Sequence, residues 1–94
     1  MPGVLVKRVA FTRHARRRVV ERGTTEDEVI QTIRDAPWSR VDLRRYAATK
    51  WYPFGQEHEG SFYAGKDVQP IFADEPERLV VVTVYVYFNQ QAGP

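Results

Sequence analysis

Ninety-four residues with 43% apolar content suit one domain with a modest core and exclude a disordered chain. There is no cysteine, which excludes disulfides, thiolate metal sites and a cysteine nucleophile. The net charge is only +2 but is unevenly placed: residues 1–50 carry twelve Lys/Arg against six Asp/Glu, and residues 51–94 carry two against six. A basic first half of this kind suits a polyanion, and equally a solvated arginine-rich face.

In chain order, Val4-Leu5-Val6 followed by Lys7-Arg8-Val9 reads as an arm or a first edge strand. Its apolar part is too short for a secretory signal. A first helix is predicted from Thr12, a good N-cap, to Gly23, a residue suited to the left-handed turn after a helix. Thr24 or Thr25 opens a second. Thr25 with Glu28 makes a capping box, Glu26 and Asp27 suit the positive helix end, and Pro37 closes the segment. Val29, Ile30 and Ile33 fall on one face.

The remainder reads as β. Strands are expected at Ser39–Tyr46, Lys50–Phe54, Phe62–Ala64 and Val68–Ala73, with Gly55–Gly60 a polar loop and Asp74–Glu77 a turn. Pro70 suits an edge or a bulge. Leu79–Phe88 is the strongest strand, and the tail Asn89–Pro94 is expected to fray. Strict alternation puts Val80, Val82, Val84, Val86 and Phe88 on a core face and Leu79, Val81, Thr83, Tyr85 and Tyr87 on the other. The run is about half the length of a spanning helix, so a soluble cytoplasmic protein with no membrane partner is expected. The predicted architecture is a single α+β domain over 1–94, with its core in about 11–88. Two N-terminal helices pack on one face of an antiparallel sheet of about four strands.

The first helix carries the chemistry. It holds His14, one of two histidines in the chain, beside Arg13, Arg16, Arg17, Arg18 and Arg22. A histidine moves protons near neutral pH, and arginines hold phosphates. At helical spacing His14, Arg17, Arg18 and Glu21 share one face with Arg22 beside it, while Phe11, Ala15 and Val19 turn to the core. RNA cleavage without a metal needs a base for the ribose 2′-hydroxyl, an acid for the leaving 5′-oxygen and cations for the phosphorane-like charge. His14 suits base or acid, and Arg18 and Arg22 suit the phosphate. Thr83 or Tyr85 suits a hydrogen bond or the second proton transfer. Glu21 orients an arginine. The bland alternative is a capping histidine on a solvated or protein-binding arginine face.

His58 between Glu57 and Glu59 reads as solvated loop rather than as a metal ligand, since adjacent loop residues rarely converge on one ion. Trp51, Tyr52, Phe54, Phe62 and Tyr63, edged by Lys50 and Lys66, close the core or stack bases. Arg40, Arg44 and Arg45 extend the basic surface. No phosphate-binding glycine loop or serine-histidine-acid arrangement is present, so no cofactor and no metal are called for. A helix-turn-helix reading is weakened by the second helix, where Glu26, Asp27, Glu28 and Asp35 stand against Arg34 alone.

His14-Ala15, Arg18, Arg22-Gly23, Thr25-Glu26-Asp27-Glu28-Val29, Pro37 and Val82-Thr83-Val84-Tyr85 together resemble the family called domain of unknown function 4258. The resemblance spans roughly residues 11–88. It implies a fold similar to the RelE and BrnT toxins of the barnase–EndoU–colicin–RelE group, and the role of a toxin with ribonuclease action, RNA as substrate and a small acidic antitoxin as partner. It carries over His14, Arg18 and Arg22 from the helix and Thr83 and Tyr85 from the strand. Of these, His14, Arg18, Thr83 and Tyr85 are the expected catalytic residues, and the basic surface itself offers Arg13, Arg17, Arg22, Arg45 and Lys50 to the RNA. The chain departs from the pattern at Thr24, where an aliphatic residue is usual, and in the long aromatic stretch Trp51–Lys66. The readings that compete with this one are a non-catalytic nucleic-acid-binding module and a protein-interaction module.

Overall fold

A computed structural model describes residues 7–91, so Val4-Leu5-Val6 lies outside the described residues. The elements are β1 (Arg8–Phe11), α1 (Arg13–Glu21), α2 (Glu26–Asp35), β2 (Ser39–Arg40), β3 (Arg45–Ala47), β4 (Lys50–His58), β5 (Ser61–Asp74) and β6 (Arg78–Asn89). The predicted α+β class holds, with two helices before a mostly antiparallel sheet. The sheet has six strands rather than about four, and β1 runs parallel to β6. The order is β1-β6-β5-β3-β2, and β4 pairs with β5 on the same side as β3, further along the strand. Among the described residues no helix is long and apolar enough to cross a membrane.

Both helices start where their caps dictate. The Thr12 hydroxyl accepts from Ala15 N at 3.0 Å, and the Thr25 hydroxyl from Glu28 N at 3.1 Å. Gly23, at φ 80°, makes the left-handed exit from α1 that a side chain would resist. α2 stops before Pro37, and the Trp38 indole N–H donates to the Ile33 carbonyl at 2.8 Å, satisfying one orphan acceptor at the helix end. Ala15 and Val19 from α1 and Val29 and Ile33 from α2 enter one buried cluster with Val68, Phe72, Leu79, Val81 and Val84. Each buried valine or isoleucine contributes roughly 1.5–3 kcal/mol. Tyr52 joins α2 to β4, its hydroxyl lying 2.8 Å from both the Thr32 hydroxyl and the Glu28 carbonyl. Burial pushes its pKa up, against the Thr32 hydrogen bond and with the charges of Glu28 and Asp35.

Several strand expectations need correction. Ser39–Tyr46 is not one strand: β2 and β3 form a hairpin whose turn is held by Asp42, which accepts from Arg44 N and Arg45 N at 3.0 Å each. The Arg44 bond leads in holding this carboxyl below the usual aspartate range. Gly55–Gly60 is not a loop: β4 continues to His58 through a bulge at Phe54-Gly55, where Gly55 has φ 65°, and only Glu59-Gly60 turn the chain. Phe62–Ala64 and Val68–Ala73 are parts of one strand. Pro70 sits inside β5 opposite Ala48-Thr49, the break between β3 and β4, where its missing N–H leaves no ladder bond unmade. Asn89 is tied down rather than frayed, accepting from the Trp51 indole at 3.1 Å and donating to Asp67 at 3.2 Å.

The correction that matters most for the site lies in β6. One extra residue, Val82, bulges opposite Ile71-Phe72, and an inserted residue reverses side-chain alternation. Leu79 and Val81 therefore face the core before the bulge, and Val84 after it, each fully buried. The expected uniform face from Val80 to Phe88 is broken in two.

Gly65 has no room for a side chain, because a β-carbon there would fall inside the indole of Trp51. Gly65→Ala should displace that ring, loosen the Asn89 bond and cost roughly 1–3 kcal/mol. A denaturant midpoint shift together with changed tryptophan fluorescence would read this out.

Candidate active site on the edge of the last strand

β1 covers the edge of β6 only as far as Val81. From there α1 takes over. Thr12 N donates to the Val81 carbonyl at 3.0 Å, and its hydroxyl donates to the Val82 carbonyl at 3.4 Å. The N-terminus of α1 is thus pinned at the bulge, which carries its first turn past Thr83. The His14 Nε2 lies 3.3 Å from the Thr83 hydroxyl, with the donor set by the imidazole tautomer.

Two helical turns later Arg22 meets the same strand. Its Nη1 donates to the Val84 carbonyl at 3.1 Å, and its guanidinium lies 5.1 Å from the centre of the Tyr85 ring. The edge carbonyl that β1 does not reach is satisfied by this arginine, which leaves its other N–H groups for a ligand. Arg18 stands between and is held by Glu21, so Glu21 orients an arginine as the sequence suggests. Arg13 and Arg17 are exposed, and among the described residues neither has an ion-pair partner. His14 and Arg22 are about 12 Å apart along the helix axis, from eight residues at the helical rise. Thr83 belongs with His14, and Tyr85 with Arg22.

Arg45 and Lys50 are not brought to this edge. Arg45 lies on β3, which β5 separates from β6, and it pairs with Asp42 at 3.4 Å. Lys50 turns to α2, pairing with Asp35 at 3.7 Å over the Tyr52 ring.

The sequence reading missed two residues. His58 is not in a solvated loop: its ring stacks on Phe88 at 4.2 Å and 19°. With Arg22, Glu21, Tyr85 and Tyr87 it lines a shallow depression of about 510 Å³ at the end of α1. The signal for its placement was Glu59-Gly60, a two-residue hairpin turn with His58 and Ser61 as the closing pair. Lys66 is the other. It is buried, not at the rim of an aromatic block, and its ammonium donates to Gly23 O at 2.7 Å and pairs with Glu28 at 2.8 Å. Glu28 turns its carboxylate to Thr24 and Lys66, so only half of the predicted capping box forms. Among the described residues no three histidine, aspartate or glutamate side chains converge as metal ligands.

No protein-family profile, curated protein or solved structure matches the chain.

Proposed function

We propose that the chain is the toxin of a bacterial toxin–antitoxin pair: a cytoplasmic, metal-independent endoribonuclease of the mRNA-interferase type. The observation that carries this reading is the 3.3 Å contact between His14 Nε2 and the Thr83 hydroxyl, made across 69 positions of sequence beside Arg18 and Arg22. His14 and the Thr83 hydroxyl meet on the β6 edge that Arg22 also reaches through the Val84 carbonyl, which supports a proton carrier, its orienting hydroxyl and a cation acting along one edge. The motif resemblance to domain of unknown function 4258 supports the toxin role.

In this reaction His14 takes the proton of the ribose 2′-hydroxyl as that oxygen attacks phosphorus. Thr83 fixes the imidazole edge. Arg18 and Arg22 offset the charge that develops on the phosphorane oxygens. Tyr85, under Arg22, gives its hydroxyl proton to the leaving 5′-oxygen and is reprotonated from solvent, to which His14 returns the proton it took. The bond to the 5′-oxygen breaks, leaving a 2′,3′-cyclic phosphate on one fragment and a 5′-hydroxyl on the other. Arg13 and Arg17 draw the RNA strand along α1, and a small acidic antitoxin would neutralise the same arginines.

Purified protein incubated with RNA in excess chelator should yield fragments with cyclic-phosphate ends. Intact RNA, together with normal growth of bacteria expressing the chain, would overturn the reading.

A further inference from the structure

Tyr85 and Tyr87 project from the same side of β6, ring centres 6.4 Å apart and planes within 21°. They are 40% and 53% exposed, too open for a core role. Exposed rings in a row are stacking platforms for bases, and every base has a face to offer. Arg22 lies over the first of them with N–H donors to spare. The depression that these three line, about 510 Å³, has the scale of a small-ligand site.

The opposite wall is acidic and aromatic. His58 lies flat on Phe88, with Glu59 Oε2 3.8 Å from its Nε2, and Glu21 stands at the rim. The Glu59 carboxylate repels a phosphate and accepts hydrogen bonds from a base, whereas Glu21, beside Arg22 at the end of α1, is engaged by Arg18. Charge therefore orients an occupant, phosphate toward Arg22 and base toward the hairpin. Glu59 also holds a left-handed backbone, φ 51°, at a turn position that asparagine or glycine fills more readily. A glutamate held there against its preference fits a side chain used for binding.

We propose that this depression is a subsite for one nucleotide of single-stranded RNA, next to the His14–Thr83 centre. Its base stacks on Tyr85 and Tyr87, and its phosphate rests on Arg22. The choice of RNA rests on the ribonuclease reading; the stacking geometry does not. The subsite sets the register of the strand, so that the neighbouring 2′-hydroxyl arrives at His14.

A dinucleotide with 2′-O-methyl riboses cannot be cleaved and isolates binding from chemistry. Titrated into the protein, it should perturb the Tyr85 and Tyr87 ring signals. Tyr85→Ala and Tyr87→Ala should each weaken it about tenfold. Inorganic phosphate should compete only weakly, and His14→Ala should bind as the wild type does. Both tyrosine variants remove exposed side chains, and circular dichroism verifies their fold. Where the wild-type protein cleaves RNA, unchanged affinity in the double tyrosine variant overturns the subsite alone. Tyrosine-dependent binding by a protein that cleaves no RNA keeps the subsite and removes the ribonuclease. No dinucleotide binding at all overturns the proposal.

Discussion

His14→Ala should lower the rate of RNA cleavage by roughly 10²–10⁴-fold, the usual contribution of a positioned proton-transfer group. Stability should change little, because His14 is exposed and the Thr83 hydroxyl is its hydrogen-bond partner among the described residues. That separation makes the variant informative, since a purely structural histidine would show the reverse pattern. Thr83→Val keeps the side-chain shape and removes the hydroxyl that orients the ring. Its rate should fall between those of the wild type and His14→Ala. Initial rates in chelator, with melting temperatures alongside, read both variants. Equal rates in the wild type and His14→Ala would take the imidazole out of the mechanism.

The second large effect concerns stability. Lys66→Ala should cost roughly 2–4 kcal/mol, a little under the usual penalty for breaking a buried ion pair. Lys66 is 6% exposed in its side chain, whereas Glu28 is 26% exposed, so water partly screens the carboxylate left behind. The variant also strands the Gly23 carbonyl and removes the cation lying 5.2 Å from the Phe54 ring. Replacing both partners with apolar groups, as in Lys66→Met with Glu28→Leu, should recover much of the loss, because no buried charge then lacks its counterion. A double-mutant cycle from urea midpoints measures the coupling. Lys66 holds the turn next to Arg22, so the single variant should also weaken RNA binding.

Much of the helical half was legible because its signals are local. Thr12, Thr25, Gly23 and Pro37 each act within a turn of where they stand, and Val29 and Ile33 show their burial through spacing. The pairing of His14 with the end of the chain was legible as chemistry, but its geometry was not. It depends on the Val82 bulge, and alternation in β6 carries no mark of an inserted residue. Lys66 and His58 were misread for a related reason. A lysine among aromatics and a histidine among glutamates look solvated until distant elements fold over them. For Lys66 those are the Gly23 turn and Glu28 of α2. For His58 it is Phe88 of β6. Pro70 suggested an edge or a bulge because its partners' interruption between Ala47 and Lys50 lies in another segment.

The parallel seam between β1 and β6 joins the first described strand to the last. Thr12, His14 and Arg22 are all docked on atoms of residues 81–84. During translation the arginine helix leaves the ribosome long before the strand that aligns it. A nascent or prematurely terminated chain lacking that strand carries the histidine without its hydroxyl partner. On the proposed ribonuclease reading, cleavage would arise only once synthesis had passed this strand.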